Sequence, residues 1–187
     1  MFYLSPMLTL IQSRRSVRSF QAKPVPEELL RQVCKAGTYA PTGHGRQSPR
    51  IVAVTRPELI QRLSRINADV LMEARPQLRE KVPDLDPFYG APAVLIVLAD
   101  RSQPTYLYDG SLVMGNLMLA AHAVGLGSCW IHRAKQVFDS EEGKAMLREW
   151  GIEGDYEGIG HCVVGYPVAD AQPQPRPRKD DYVVWVR

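Results

Sequence analysis

"DGSLVMGNLMLAAHAVGLGSCWI", residues 109–131, is the stretch whose reading decides the fold. From Asp109 to Val124 it is apolar nearly all the way round a helix. Such a helix must be covered on every side, either inside a larger core or by a second subunit. Gly125 is a natural C-terminal cap, and the chain then turns through Gly125 and Gly127 in "VGLGSCWI". His122 on this helix reads as an interior, hydrogen-bonded histidine rather than a metal ligand.

Strands and helices alternate irregularly on both sides of this segment. "PAVLIVLAD", residues 92–100, is a continuous apolar run, which predicts a strand covered on both faces. "PRIVAVT", residues 49–55, and "GHCVVGYP", residues 160–167, also read as strands, and "YVVWVR", residues 182–187, can pair as a last one. Helices are expected after Ser5-Pro6, over "VPEELLRQVCKAG" (25–37) with its end at Gly37, and over "PELIQRLSRINADVLMEA" (57–74), stopped by Pro76. "DSEEGKAMLREWG" (139–151) reads as one more, with Asp139 and Glu142 at capping-box spacing. "RPQLREKVPDLDPFYGAP" (75–92) is proline-rich and charged, a loop with room for one short helix. "ADAQPQPRPRKDD" favours an extended arm, so residues from about 168 to 187 form a basic, proline-rich tail. With no internal repeat and no credible linker, the 187 residues read as one α+β domain, a mainly antiparallel sheet flanked by helices.

Composition excludes several function classes. A net charge of +3 is small for a dedicated nucleic-acid binder. No apolar run reaches the ~20 residues of a membrane span. In "MFYLSPMLTLIQSRR" the charges follow the apolar part, the reverse of a secretory signal, so a cytoplasmic location is expected. Cys34, Cys129 and Cys162 are far apart in apolar surroundings and read as reduced, buried thiols.

Three features carry chemistry. "IQSRRSVRSF" (11–20) sets Arg14, Arg15 and Arg18 around Ser16, "APTGHGRQSP" (40–49) is turn-rich with Gly43 and Gly45, and "VGLGSCWI" follows the apolar helix. Those glycines let backbone amides approach a ligand closely. "GLGSCW" and "GIGHCV" each hold G-x-G but lack the sixth-position glycine and the strand-to-helix context of a dinucleotide fingerprint. There is no P-loop, no G-x-S-x-G and no histidine pair at i, i+4, so metal and hydrolase chemistry have no support.

Taken together, "RRSVRSF", "APTGHGRQ", "NLMLAAHAVGLGSCWI" and "VVGYP", in that order and spacing, resemble the nitroreductase family of FMN-dependent oxidoreductases. The basic "PRPRK" stands where that family carries a second phosphate-binding cluster. The resemblance implies a homodimer with FMN at the subunit interface. It implies that Arg14, Ser16 and Arg18 grip the flavin, that Arg15 lends backbone and charge, and that Arg176 and Arg178 reach the phosphate from the arm. Guanidinium forks match phosphate oxygens, and each close charge pair is worth about 4 kcal/mol at an effective dielectric of about 20, before desolvation. Arg18, turned inward, faces the pyrimidine end of the ring, where reduction collects negative charge.

By the same resemblance Pro41, Thr42 and Gly43 line the ring with backbone groups, Gln47 matches a motif glutamine, Trp130, Ile131 and His132 face the flavin edge, and Asn67 is a further contact. The chain departs from the family at Gly45, where asparagine is common, and at Ser48-Pro49, where Pro-Trp is usual. The implied reaction is ping-pong. NAD(P)H gives a hydride to flavin N5 and leaves, and a nitroaromatic, quinone or similar acceptor is then reduced, with no catalytic side chain required. The segment 80–92 is expected to build a pocket rim, with Phe88 and Tyr89 as stacking residues. Two other readings stand beside this one: a different flavin reaction on the same fold, such as reductive dehalogenation or dehydrogenation, and a non-enzymatic module binding a phosphorylated ligand.

Overall fold

The computed structural model describes residues 5–169 and 173–187. Its centre is a four-stranded sheet: β1 (Pro49–Val54), β2 (Ala93–Asp100), β3 (Gly127–Ile131) and β4 (Tyr156–Gly165), in the order β1-β2-β4-β3, every pair antiparallel. Among the described residues seven helices surround it: α1 (Pro6–Ser13), α2 (Glu27–Gly37), α3 (Pro57–Ala74), α4 (Leu78–Lys81), α5 (Tyr106–Ala123), α6 (Ala134–Asp139) and α7 (Glu141–Glu149).

The apolar run of β2 shows why both faces needed cover. Side chains alternate along a strand. Val94, Ile96 and Leu98 enter a core with α3, α6 and α7, whereas Ala93, Leu95, Val97 and Ala99 enter a second core with α2 and α5. A register shift between Val97 and Leu98 sets Gly160 opposite the first and Gly158 opposite the second, leaving Ile159 as the extra residue. This bulge turns Ile159 toward the α5 side, against Gly110.

Several expectations need correction. The helix expected over 139–151 runs only from Glu141 to Glu149, because Asp139 is the last residue of the separate α6 and the cap of α7 is the Ser140 hydroxyl, which accepts from the Gly143 amide at 3.0 Å. "GSCWI" pairs with β4 as a strand and is not part of the turn. "YVVWVR" forms no strand. After a single 3₁₀ turn (Asp180–Tyr182) it is irregular and exposed, Trp185 at 77% and Val186 at 93%. The apolar α5 is not covered all round within one chain: Val113, Met114 and Leu117 are buried, but Tyr108 is 72% exposed and Leu112 47%. Ser5 caps α1 as expected, accepting from the Leu8 amide. The cysteines are free thiols, Cys129 and Cys162 buried and Cys34 half-buried. Among the described residues no helix is long and apolar enough to cross a membrane.

Candidate functional site

The arginine segment follows the outer edge of β3. Ser16 bridges Ser128 in the parallel sense, the Val17 amide donates to the Ser128 carbonyl at 3.0 Å, and Phe20 pairs with Pro167. Extended chain sends alternate side chains to opposite sides, so Arg14, Ser16 and Arg18 share one side and Arg15 and Val17 the other. Val17 is buried on Gly127, where any Cβ would meet the valine methyls at 2.8–3.0 Å. Gly127 is thus the notch that lets the segment dock.

The shared side is visible in the electrostatics of Cys129. Burial pushes this thiol up, while Arg18, the Ser16 hydroxyl and Arg14 all act in the opposite direction. The arginines have different surroundings. Nη1 of Arg15 donates to the carbonyls of Gln12 at 2.7 Å and Arg14 at 2.8 Å, closing the end of α1. Nη1 of Arg14 is buried and has no hydrogen-bond partner among the described residues. A buried cationic donor left alone is costly, and an anionic oxygen group such as a phosphate is the partner its chemistry calls for. Beside it His122, half-buried near the end of α5, meets the Ser13 hydroxyl at 2.9 Å through Nε2. Burial holds its pKa below the ordinary value, and Arg14 and Arg15 lower it further.

Asn67 is fully buried on α3. Its Nδ2 donates to the His132 carbonyl at 2.9 Å and its Oδ1 accepts from Arg133 Nε at 3.1 Å. Arg133 has a left-handed backbone, φ 75°, so Asn67 fixes the sharp turn after β3. Ile131 is buried, Trp130 is half-buried with its indole where a side chain on Gly160 would stand, and His132 is exposed. The parallel direction of the arginine segment brings Arg18 toward this end of β3.

Residues 41–48 stand elsewhere. Asp109, in the first turn of α5, accepts from the Gly43 amide at 3.0 Å, the Ser48 hydroxyl at 2.8 Å and the Thr105 hydroxyl at 3.1 Å. The Gln47 amide donates to Thr42 Oγ1, Gly45 to the Thr42 carbonyl and Arg46 to the Gly43 carbonyl. With the amides of Gly43, Gly45, Arg46 and Gln47 bonded internally, the segment offers a ligand its carbonyls, side chains and shape. Thirteen residues of helix separate Asp109 from His122, which is about 20 Å at about 1.5 Å per residue. Arg14 therefore stands at the His122 end of α5, and Gly43, with the neighbouring Pro41, Thr42 and Gln47, at the Asp109 end, while Trp130 adjoins Gly160 beside Met114 in the middle of the helix and Asn67 holds His132 just beyond β3. Arg176 and Arg178 lie exposed on the irregular arm.

A cavity of about 770 Å³ lies between α3 and the segment 83–92, with Ile60, Ala68 and Met72 from the helix and Asp84, Leu85 and Ala91 from the segment. The segment lines this cavity, but Phe88 is not a stacking residue. It is fully buried, 5.1 Å from the ring of His161. Tyr89 is 38% exposed. Sequence reasoning passed over Asp109, Ser48 and Arg133. One signal was available: Asp109 is the lone formal charge in α5, and a charge on an apolar helix must have partners.

A family model described as "Nitroreductase family" matches residues 11–166. Among solved structures, the nitroreductase with bound FMN from Bacteroides fragilis NCTC 9343 superposes with a TM-score of 0.89 at 27% identity, covering 98% of this chain and 100% of that one. An iodotyrosine deiodinase bound to FMN and 3-iodo-L-tyrosine gives a TM-score of 0.72 at 25% identity, covering 97% of each chain. A protein of Methanothermobacter thermautotrophicus, provisionally named NADH dehydrogenase/NAD(P)H nitroreductase, is 29% identical over 133 residues, 66% of this chain. The match spans 59% of that relative's length.

Proposed function

The chain belongs to the nitroreductase family, and on that premise we propose that it is an FMN-dependent NAD(P)H oxidoreductase acting on a small acceptor, a nitroaromatic or a quinone, in a site completed by two copies of the chain. The observation that carries this reading is the buried, unpartnered Nη1 of Arg14, set on one side of the chain with Ser16 and Arg18. That donor set suits the phosphate of a mononucleotide. Bound FMN supplies the hydride chemistry, taken from NAD(P)H in one half-reaction and passed to the acceptor in the other.

The remaining tasks belong to the chain. Arg14 and Ser16 hold the phosphate, Arg15 secures the backbone that presents them, and Arg18 places positive charge near the ring, favouring its reduced, more negative form. Asn67 sets the turn at His132 and Arg133, so that Trp130, Ile131 and His132 wall the site.

The two-copy arrangement is supported by the separation of the site residues. Gly43, with Pro41, Thr42 and Gln47 beside it, is tied to Asp109, about 20 Å along α5 from the His122 beside Arg14, and on this reading a second copy brings these residues to the ring. The exposed Tyr108 and Leu112 on α5 supply a face for that copy. On this reading the exposed arm, with apolar Val184 and Trp185 beyond Arg176 and Arg178, wraps that copy.

Comparative titration with FMN and riboflavin, which differ by the phosphate, tests the reading. The protein is expected to prefer FMN, and Arg14→Ala to remove most of that preference. Equal weak binding of both by the unaltered protein would contradict it. A second reading, reductive removal of halide, is supported by the likeness to the deiodinase. Steady-state turnover of a nitroaromatic beside a halogenated phenol separates the two.

A further inference from the structure

We propose that Asp109 is a positioning residue for the flavin ring: its buried carboxylate fixes the shape of residues 42–48, the segment that closes the site from the second copy. The proposal rests on the flavin reading above. Asp109 is 3% exposed, and its two oxygens receive three donors. Oδ1 takes the Gly43 amide near the start of the segment. Oδ2 takes the Ser48 hydroxyl at its end and the Thr105 hydroxyl of its own helix. One side chain thereby spans both ends of the segment and ties them to α5.

What lies between those ties is strained. His44 and Gln47 have φ of 53° and 52°, the left-handed region that non-glycine residues rarely occupy. Such conformations persist where surrounding structure enforces them, and they gather where a ligand needs a particular backbone shape. The hydrogen bonds within the segment close much of it on itself, so its placement on the fold depends on the Asp109 contacts, on the Asp100 amide, which donates to the Ser48 carbonyl at 3.1 Å, and on Arg46 Nη1, which donates to Gln103 Oε1 at 2.8 Å. Gly43 belongs to the same device. It lies so close to Thr105 that a Cβ would overlap the hydroxyl oxygen.

The inference also accounts for a departure noted in the sequence. Where the family usually has Pro-Trp, this chain has Ser48-Pro49, and the Ser48 hydroxyl is one of the three donors to Asp109. Proline at that position would have no hydroxyl to give.

The test is fluorescence titration of FMN and of riboflavin into the full-length protein, with thermal melting and sedimentation to confirm fold and assembly. Asp109→Ala is expected to weaken both ligands by the same factor, about tenfold, leaving the FMN-to-riboflavin ratio unchanged. The visible band of bound FMN should move toward that of free FMN at saturation. Asp109→Asn keeps an acceptor for Gly43 and should restore affinity to within about threefold. Arg14→Ala, by contrast, should collapse the ratio. If Asp109→Ala lowers folding yield, Ser48→Ala serves in its place, with a smaller change in the same sense and the ratio again unchanged. Wild-type affinities and wild-type spectra in folded Asp109→Ala, or in Ser48→Ala where the first is lost, overturn the proposal and leave the flavin reading intact. Failure of the unaltered protein to bind either ligand overturns both.

Discussion

Arg14, Arg15 and Arg18 lie within five residues, yet the structure gives them separate surroundings. Arg14 has the buried free donor, Arg15 is bonded to two backbone carbonyls, and Arg18 faces solvent at the far end of the segment. Substitution should sort them. Arg14→Ala is expected to weaken FMN by about 30-fold or more, as loss of a charge-assisted hydrogen-bond partner implies, whereas Arg15→Ala should act mainly on stability; equilibrium dialysis and thermal melting of the two variants check this. The residue pattern announced the cluster but not this division, because backbone carbonyls that accept from a side chain leave no mark in the sequence.

His161 makes a second prediction at the same scale. It is fully buried between Phe88 and Phe138, both ring nitrogens lack a hydrogen-bond partner among the described residues, and burial lowers its pKa to about 3 from 6.5. The folded chain keeps the ring neutral where the unfolded chain takes up a proton. Its contribution to stability is therefore complete above about pH 6.5 and is lost as pH falls from there toward 3, by up to about 1.4 kcal/mol per pH unit. Denaturant midpoints measured across that range should fall with acidification, and His161→Leu should flatten the fall. An unchanged slope in the variant would assign the acid sensitivity to other groups.

At the scale of elements, periodicity read well and edges read poorly. The alternation of "PAVLIVLAD" between two cores and the capped helix at Glu27–Gly37 followed from apolar spacing and end signals. The boundary between α6 and α7 did not, because aspartate and serine stand side by side and both cap well; only the geometry assigns Ser140. Strand β3 was hidden by its glycine, which suggests a turn until Val17 is seen filling the notch. Gly127→Val should push the arginine segment off the sheet edge. The expected result is FMN affinity reduced at least as much as by Arg14→Ala, with hydrogen exchange accelerated at Val17.

Another tie between elements is Arg101 at the end of β2. It reaches Asp139 of α6, Asp155 and Glu157 of β4, and Lys135 meets Asp139 and Glu157 from the other side. Burial acts against the charge of both Asp139 and Glu157, but hydrogen bonds from Arg101 and Lys135 prevail and hold both carboxyls below their usual range. Glu157 is nearly buried, so Arg101→Met leaves a poorly compensated charge. A stability loss of about 2 kcal/mol is expected, read from the urea midpoint, with flavin affinity unchanged.

For the whole molecule, the all-round apolar α5 demanded cover that one chain supplies on one side only. Sequence pattern shows that cover is needed but does not say who provides it, and the same limit hid the fate of "YVVWVR", whose apolar residues find no partner strand among the described residues. On the function proposed above, a second copy supplies the missing cover. Leu112→Asp should convert a sedimenting dimer to monomer and lose FMN with it. A monomeric variant that retains FMN at full affinity would show the site to be complete in one chain.

The most direct test of the central claim is the visible absorption spectrum of the purified, FMN-reconstituted protein before and after anaerobic NADPH. Oxidised flavin bands at about one FMN per chain, bleaching on addition of the reductant and returning with a quinone or nitroaromatic, are the predicted result. A colourless protein that takes up no FMN would contradict the account, and Arg14 would be left with a buried donor and no ligand to explain it.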